Sequence, residues 1–87
     1  MIEAKPRTMQ GTPIRLDHSR LRELRLMAGL TQEDLARKAR CSVASISLYE
    51  SGQRLNPNPS TTRAMARALG VKPADILTRE EVPEEER

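Results

Sequence analysis

Any core for this chain has to be built almost without aromatic side chains. The 87 residues contain no Trp and no Phe, and Tyr49 is the single Tyr. Leu, Ile, Val, Met and Ala must therefore form the core, and these residues suit helix-on-helix packing better than a sandwich of strands. The length fits one domain, and a chain this short can bury only a limited share of its surface. We therefore predict one small all-α domain.

The first two predicted helices each carry a start signal and a stop signal. Asp17 or Ser19 is the N-cap of the first helix, and Gly29 ends it. The spacing i, i+3, i+7 places the apolar stripe of this helix at Leu21, Leu24 and Ala28. Thr31 caps the second helix, and Asp34 takes the place of the Glu of a capping box. The buried side of this helix is predicted at Leu35, Ala36 and Ala39.

A short turn at Arg40 and Cys41 leads into the third predicted helix. Ser42 is its N-cap, and Ser51 and Gly52 end it, because Gly readily supplies the left-handed residue past a helix C-terminus. The predicted core contacts of this helix are Ile46 and Tyr49.

Two more helices are predicted after a loop over residues 53–57. Asn58 and Pro59 form a cap and first-turn pair, because Pro loses nothing where its N–H would be unpaired anyway. Gly70 closes this fourth helix, and its apolar face is Thr62, Met65, Ala66 and Leu69. Pro73 opens a short fifth helix, whose apolar residues are Ile76 and Leu77. No strand and no internal repeat are predicted.

Both ends of the chain are predicted to lie outside the packed domain. Residues 1–16 contain two Pro, one Gly and little periodicity, which predicts a flexible basic arm. Such an arm either lies along phosphates or is a frayed terminus. Residues 79–87 are acidic and lack an apolar face, which predicts a disordered tail. The domain is therefore predicted to span residues 17–78.

Positive charge is concentrated in the body of the chain. The formal net charge is +3, and residues 79–87 hold five Glu against two Arg, so residues 1–78 carry +6. A basic body favours a polyanionic partner, of which nucleic acid is the commonest. A well-solvated surface with spare Arg would give the same total, so charge alone leaves both interpretations open.

Other functional classes find little support in the residues. The chain has one His, one Cys, no Gly-rich phosphate loop and no metal-ligand spacing, which argues against an enzyme, a metal site or a cofactor. A single Cys also excludes an internal disulfide. No apolar run approaches the ~20 residues that span a bilayer, and the N-terminal residues lack the apolar stretch of a secretory signal. We therefore expect a cytoplasmic protein.

Two short capped helices joined by a tight turn are typical of a helix-turn-helix, predicted here over residues 31–50. The turn forces the helices to cross steeply and leaves the outer side of the second one clear of the body. A helix placed in this way fits the major groove of B-DNA, which is ~12 Å wide. Leu48 is not needed by the core pattern. Such an apolar side chain is either unremarkable or a contact for thymine methyl groups.

The central segment reads GLTQEDLARKA, then SVASISLYESG and later ARALGV. These motifs resemble those of the lambda-repressor-like helix-turn-helix family, also described as Cro/cI-type or XRE-type. The likeness covers residues 19–77, and several motifs in register are far more specific than one. It implies a compact five-helix DNA-binding domain and a sequence-specific transcription regulator of a bacterium or phage, with repression as the expected mode. It also implies a homodimer that pairs through residues 55–77 and binds half-sites about one helical turn apart.

The resemblance also implies roles for individual residues. Those at the family's phosphate-contacting positions are Gln32, Ser42, Ser51 and Arg54. Those at its base-facing positions are Val43, Ala44, Ser47 and Leu48. Arg25 and Glu50 match an ion pair that ties the first helix to the third.

Two features depart from the family pattern. Arg40 stands where the family usually has Gly, and a non-Gly residue at positive φ costs on the order of 1 kcal/mol unless the turn is built differently. The base-facing set contains no Gln, Asn or Arg, the residues that make bidentate contacts to bases. Specificity would then depend on Ser hydroxyls, methyl contacts and DNA shape.

A function from a different class is compatible with the same fold. The apolar outer side of the third helix would suit a protein-interaction module, either an antitoxin whose tail or arm blocks a partner or an adaptor in a larger complex. Copurification of that partner in a fixed ratio would favour this alternative over DNA binding.

Overall fold

Four α-helices, one 3-10 helix and a two-stranded sheet make up residues 14–79, the part of the chain that the computed structural model describes. In chain order they are β1 (Ile14–Leu16), α1 (His18–Met27), α2 (Gln32–Ala39), α3 (Val43–Ser51), α4 (Pro59–Leu69), the 3-10 helix (Pro73–Ile76) and β2 (Leu77–Arg79). The predicted all-α class is confirmed only in part, because the domain is mostly helical but also contains the two strands. The predicted fifth helix is a 3-10 helix of four residues rather than an α-helix.

Each α-helix begins at a cap that the sequence predicted. The capping side chains, each of which accepts a hydrogen bond from a backbone N–H three residues later, are Asp17, Thr31, Ser42 and Asn58. The capping box of α2 is complete, because Thr31 Oγ1 accepts from the Asp34 N–H at 2.9 Å and Asp34 Oδ2 accepts from the Thr31 N–H at 3.0 Å. The backbone hydrogen bond from Thr31 is the main reason why the pKa of Asp34 is lowered. Each cap stabilises its helix by about 1 kcal/mol.

Arg40 ends α2 in the left-handed region, with φ 59° and ψ 46°. It is the one non-Gly residue within 14–79 that has a positive φ. The Cys41 N–H donates to the Ala36 carbonyl at 2.9 Å and the Arg40 N–H donates to the Arg37 carbonyl at 3.2 Å. This is the hydrogen-bond pattern of a Schellman motif, which glycine normally closes. The turn therefore keeps the conformation that suits glycine, although arginine occupies it.

Replacing Arg40 with Gly is expected to raise the free energy of unfolding by about 1 kcal/mol, because Gly adopts positive φ without steric cost. Urea unfolding followed by circular dichroism measures the change. Lys38→Gly is the matched control, since it removes another exposed cation but places Gly inside α2. That control is expected to lower the stability by roughly 0.5–1 kcal/mol. A less stable Arg40→Gly protein would contradict the argument.

The core is one cluster of buried side chains between the helices. α2 packs against both α3 and α4, and α1 packs against α3. The buried apolar residues are Leu16, Leu21, Leu24, Leu35, Ala36, Ala39, Ile46, Tyr49, Met65, Ala66 and Ile76. Most of the predicted inward positions are confirmed, but Ala28 is exposed. Ala28 lies past the end of α1, which is Met27. The last buried residue of this helix is Arg25.

A small antiparallel sheet joins the two ends of the described segment, although no strand was predicted. β1 pairs with β2 so that Ile14 lies opposite Arg79 and Leu16 lies opposite Leu77. Leu16 is 1% exposed and belongs to the core. Its N–H donates to the Leu55 carbonyl at 2.9 Å. The sheet therefore anchors β1 to the helical body.

The sheet corrects two predictions made from the sequence. Residues 14–16 form a strand and a core contact rather than the end of an arm, and Leu77 begins β2 rather than lying in a helix. Strands of three residues show too little alternation to be recognised in a sequence. Residues 1–13 of the predicted arm and residues 80–87 of the predicted tail lie outside the described residues.

Candidate nucleic-acid interface

α2 and α3 pack against each other and are joined by the turn at residues 40–42. The small residues Ala36 and Ala39 are buried on α2, which allows the two helix backbones to approach closely. The side of α3 that faces the body buries Ile46, Tyr49 and Glu50. These two helices and their turn form the predicted helix-turn-helix.

The opposite side of α3 is open to solvent. Four predicted base-facing residues define this outer face: Val43, Ala44, Ser47 and Leu48. Val43 is 39% exposed, Ala44 and Ser47 are exposed, and Leu48 is half-buried. An α-helix has 3.6 residues per turn, so side chains three and four positions apart share one face. The outer face is therefore not packed against the described interior of the protein.

The hydroxyl groups of α3 differ in whether the protein uses them. Ser42 Oγ accepts from the Ser45 N–H at 3.0 Å and donates to Ser45 Oγ at 2.9 Å. Ser51 Oγ donates to the Leu48 carbonyl at 3.1 Å. The Ser47 hydroxyl has no hydrogen-bond partner among the side chains and backbone groups of residues 14–79. Its hydroxyl is thus available to a ligand that approaches the outer face.

A buried ion pair fixes the orientation of α3 against α1. Arg25 Nε donates to Glu50 Oε2 at 2.6 Å and Arg25 Nη2 donates to Glu50 Oε1 at 3.0 Å. Both residues are 7% exposed. Arg25 Nη1 also donates to the Leu30 carbonyl at 2.8 Å. This bidentate geometry is the strong form of an arginine–carboxylate contact.

Gln32 joins the same network from the first turn of α2. Its Nε2 donates to Glu50 Oε1 at 3.1 Å. One carboxylate in the last turn of α3 therefore binds side chains from both α1 and α2. A glutamine amide has two N–H donors and one acceptor oxygen. The contact to Glu50 therefore leaves polar groups of Gln32 for a ligand.

His18 ties the beginning of α1 to the end of α3, a contact that sequence reasoning missed. Its Nδ1 lies 3.3 Å from the Glu50 carbonyl oxygen. Gly52, at φ 85°, ends α3 beside this ring, and a Cβ there would lie 3.2 Å from His18 Nε2. A lone His at the start of a helix carries no sequence signal for such a contact, because the partner lies 32 positions away.

Cations flank α3 at both of its ends. Arg40 precedes the helix and is exposed, and Arg54 follows it, with its guanidinium carbon 6.0 Å from the centre of the Tyr49 ring. The one acidic residue of α3, Glu50, is buried in its ion pair. The outer face of α3 therefore carries no carboxylate and has positive charge beside it.

Other kinds of site are not formed by the described residues. Within 14–79, no group of three or more His, Cys, Asp or Glu side chains is placed to hold a metal ion. Cys41 is half-buried in the turn before α3, and burial raises the pKa of its thiol.

None of the helices in that same segment is long and apolar enough to cross a membrane.

The chain matches a known family in sequence and solved proteins in structure. Residues 19–80 match a family model described as a helix-turn-helix domain. No curated protein sequence matches the chain. Among solved structures, the restriction-modification controller protein C.AhdI from Aeromonas hydrophila is similar, with 36% identity and a TM-score of 0.63. That match covers 67% of this chain and 86% of C.AhdI.

Two further structures give comparable matches. A point mutant of the restriction-modification controller protein C.Esp1396I has 30% identity and a TM-score of 0.60, over 66% of this chain and 73% of that one. The clp gene regulator ClgR from C. glutamicum has 29% identity and a TM-score of 0.60, over 67% of this chain and 74% of that one. These proteins are named as regulators rather than enzymes. The chain belongs to the helix-turn-helix domain family, in its lambda-repressor-like form.

Proposed function

We propose that this chain is a sequence-specific transcription regulator that binds double-stranded DNA by placing α3 in the major groove. One observation carries the proposal: the outer face of α3 is open to solvent and free of carboxylates. A helix with an exposed face of this kind fits the groove. Arg40 and Arg54 stand at its two ends, where they attract phosphates.

Phosphate contacts would bracket the outer face and set its register on the duplex. Gln32 and Ser42 lie at the N-termini of α2 and α3, and Ser51 and Arg54 lie at the other end of α3. Backbone contacts of this kind position a protein, whereas base contacts specify the sequence. The buried Arg25–Glu50 pair would hold α3 at the angle that both sets of contacts require.

We further propose that the protein acts as a homodimer and represses transcription. One outer face has few side chains that can contact bases. Two copies of the protein, bound to half-sites about one helical turn apart, would double the number of base contacts. Apolar side chains that are only half-buried follow α3, at Leu55, Leu69, Val71 and Leu77. A dimer bound over a promoter would exclude polymerase. Sedimentation of the free and DNA-bound protein tests the dimer, and a monomer in both states would contradict it.

The binding experiment is a fluorescence anisotropy titration of a pool of genomic fragments at several salt concentrations. Saturable binding is expected, and its affinity should fall steeply with salt because phosphate contacts release counterions. A titration without saturation even at low salt would overturn the proposed function.

Arg54→Ala is expected to weaken binding by a similar factor on all sequences and to reduce the slope of log K against log salt by about one. The reason is that a phosphate contact carries charge but no base information. Arg67→Ala is the matched control, since Arg67 is an exposed arginine on α4. It removes the same charge away from α3, so its slope should stay near that of the unchanged protein. Equal slopes for both variants would contradict the assignment of Arg54.

A further inference from the structure

The outer face of α3 offers a ligand mostly methyl groups. Three of its four side chains, those of Val43, Ala44 and Leu48, end in methyl carbons. Its one polar group is the Ser47 hydroxyl, which has no protein partner among the described residues. The other serine hydroxyls around α3 are engaged locally. This surface therefore has one short hydrogen-bonding group and several apolar contacts.

Such a surface suits some base pairs and not others. Guanine is usually recognised by a bidentate Arg or Lys, and adenine by a bidentate Asn or Gln. None of these residue types stands on the outer face, and Arg40 and Arg54 precede and follow α3 rather than lying within it. Thymine is the base that presents an apolar group in the major groove, its C5 methyl.

We infer that the DNA site is recognised mainly through thymine C5 methyl groups, which pack against Val43, Ala44 and Leu48, while Ser47 supplies one hydrogen bond to a base. This inference rests on the proposed function, because it requires α3 to enter the major groove. The ligand class is a duplex whose half-sites present thymine methyl groups to this face. The same surface would accept 5-methylcytosine, which carries its methyl group at the same ring position.

The experiment changes the DNA, so the protein fold is untouched. A bound sequence is first selected from random-sequence duplexes long enough for two half-sites. Each thymine of a half-site is then replaced by uracil, which removes only the methyl group. Each contacted methyl should account for about a fourfold loss of affinity, the value expected for burying one such group. Thymines outside the half-sites serve as controls and should show no loss.

Protein variants then assign the methyl groups to side chains. Val43→Ala should bring the thymine-to-uracil affinity ratio close to one at a single position and leave the other ratios unchanged. Met27→Ala is the matched control, since Met27 is an apolar side chain that is 72% exposed at the end of α1. It should leave every ratio unchanged.

A second comparison uses cytosine and 5-methylcytosine at one of the thymine positions. The two duplexes differ only by the methyl group, so the methylated duplex should bind about fourfold more tightly. Saturable binding with equal affinity for the paired duplexes would overturn the inference and leave the proposed function standing. If no duplex is selected or bound, the proposed function itself fails, and methyl recognition fails with it.

Discussion

Glu50→Ala is expected to lower the free energy of unfolding by about 3–5 kcal/mol, the cost of leaving one partner of a buried ion pair without the other. The Arg25 guanidinium would remain buried without its bidentate acceptor, and Gln32 would lose its contact as well. Small domains have only about 5–15 kcal/mol of stability in total. Urea unfolding followed by circular dichroism should therefore show that half of the protein unfolds at a much lower urea concentration.

A surface pair in the same chain provides the matched control. Arg20 Nη1 lies 3.1 Å from Glu23 Oε1, with both side chains well exposed. Glu23→Ala makes the same chemical change but should cost only about 0–1 kcal/mol, because water solvates the remaining arginine. If Glu50→Ala and Glu23→Ala lowered the free energy of unfolding by similar amounts, burial would not be the reason why the Arg25–Glu50 contact stabilises the fold.

Val43→Asp should abolish DNA binding without unfolding the protein. Val43 is the first residue of α3 and is 39% exposed, so an aspartate there would meet the positive end of the helix dipole and keep or slightly raise the stability. In the groove, however, the same carboxylate would face DNA phosphates. Like charges brought together cost several kcal/mol, which predicts a loss of roughly a hundredfold or more in affinity.

Two measurements on each variant separate binding from folding. Thermal unfolding of Val43→Asp should match that of the original chain, while anisotropy titrations with the selected duplex should show no saturation. Met27→Asp adds the same charge at the end of α1 and should leave DNA binding nearly unchanged. If Val43→Asp instead kept its DNA affinity and lost a copurified protein partner, the interaction-module alternative would be the better explanation.

The helix boundaries could be read from the sequence because capping is local. Thr31 and Asp34 complete each other's hydrogen bonds over three positions, and Ser42 and Asn58 act over the same short distance. The outer face of α3 could be predicted in the same way. The cap sets where the helix begins, and the inward position of Ile46 then determines which side faces solvent.

The ends of the domain could not be predicted in this way. β1 and β2 lie far apart in the sequence, and each is too short to show a pattern of its own. Their pairing depends on the helical body, where the Leu16 N–H donates to the Leu55 carbonyl and the Asp17 N–H donates to the Ile76 carbonyl.

The sequence by itself determined where the α-helices begin, which faces of α2 and α3 are apolar, and which family the central motifs resemble. These features depend on neighbours within about one or two helical turns, so a linear pattern records them. Only the tertiary structure decided that Arg25 and Gln32 share the Glu50 carboxylate and that His18 contacts the end of α3. Each of those contacts joins residues at least 18 positions apart. Breaking a charge pair costs several kcal/mol of stability only where the packed helices have excluded water from it.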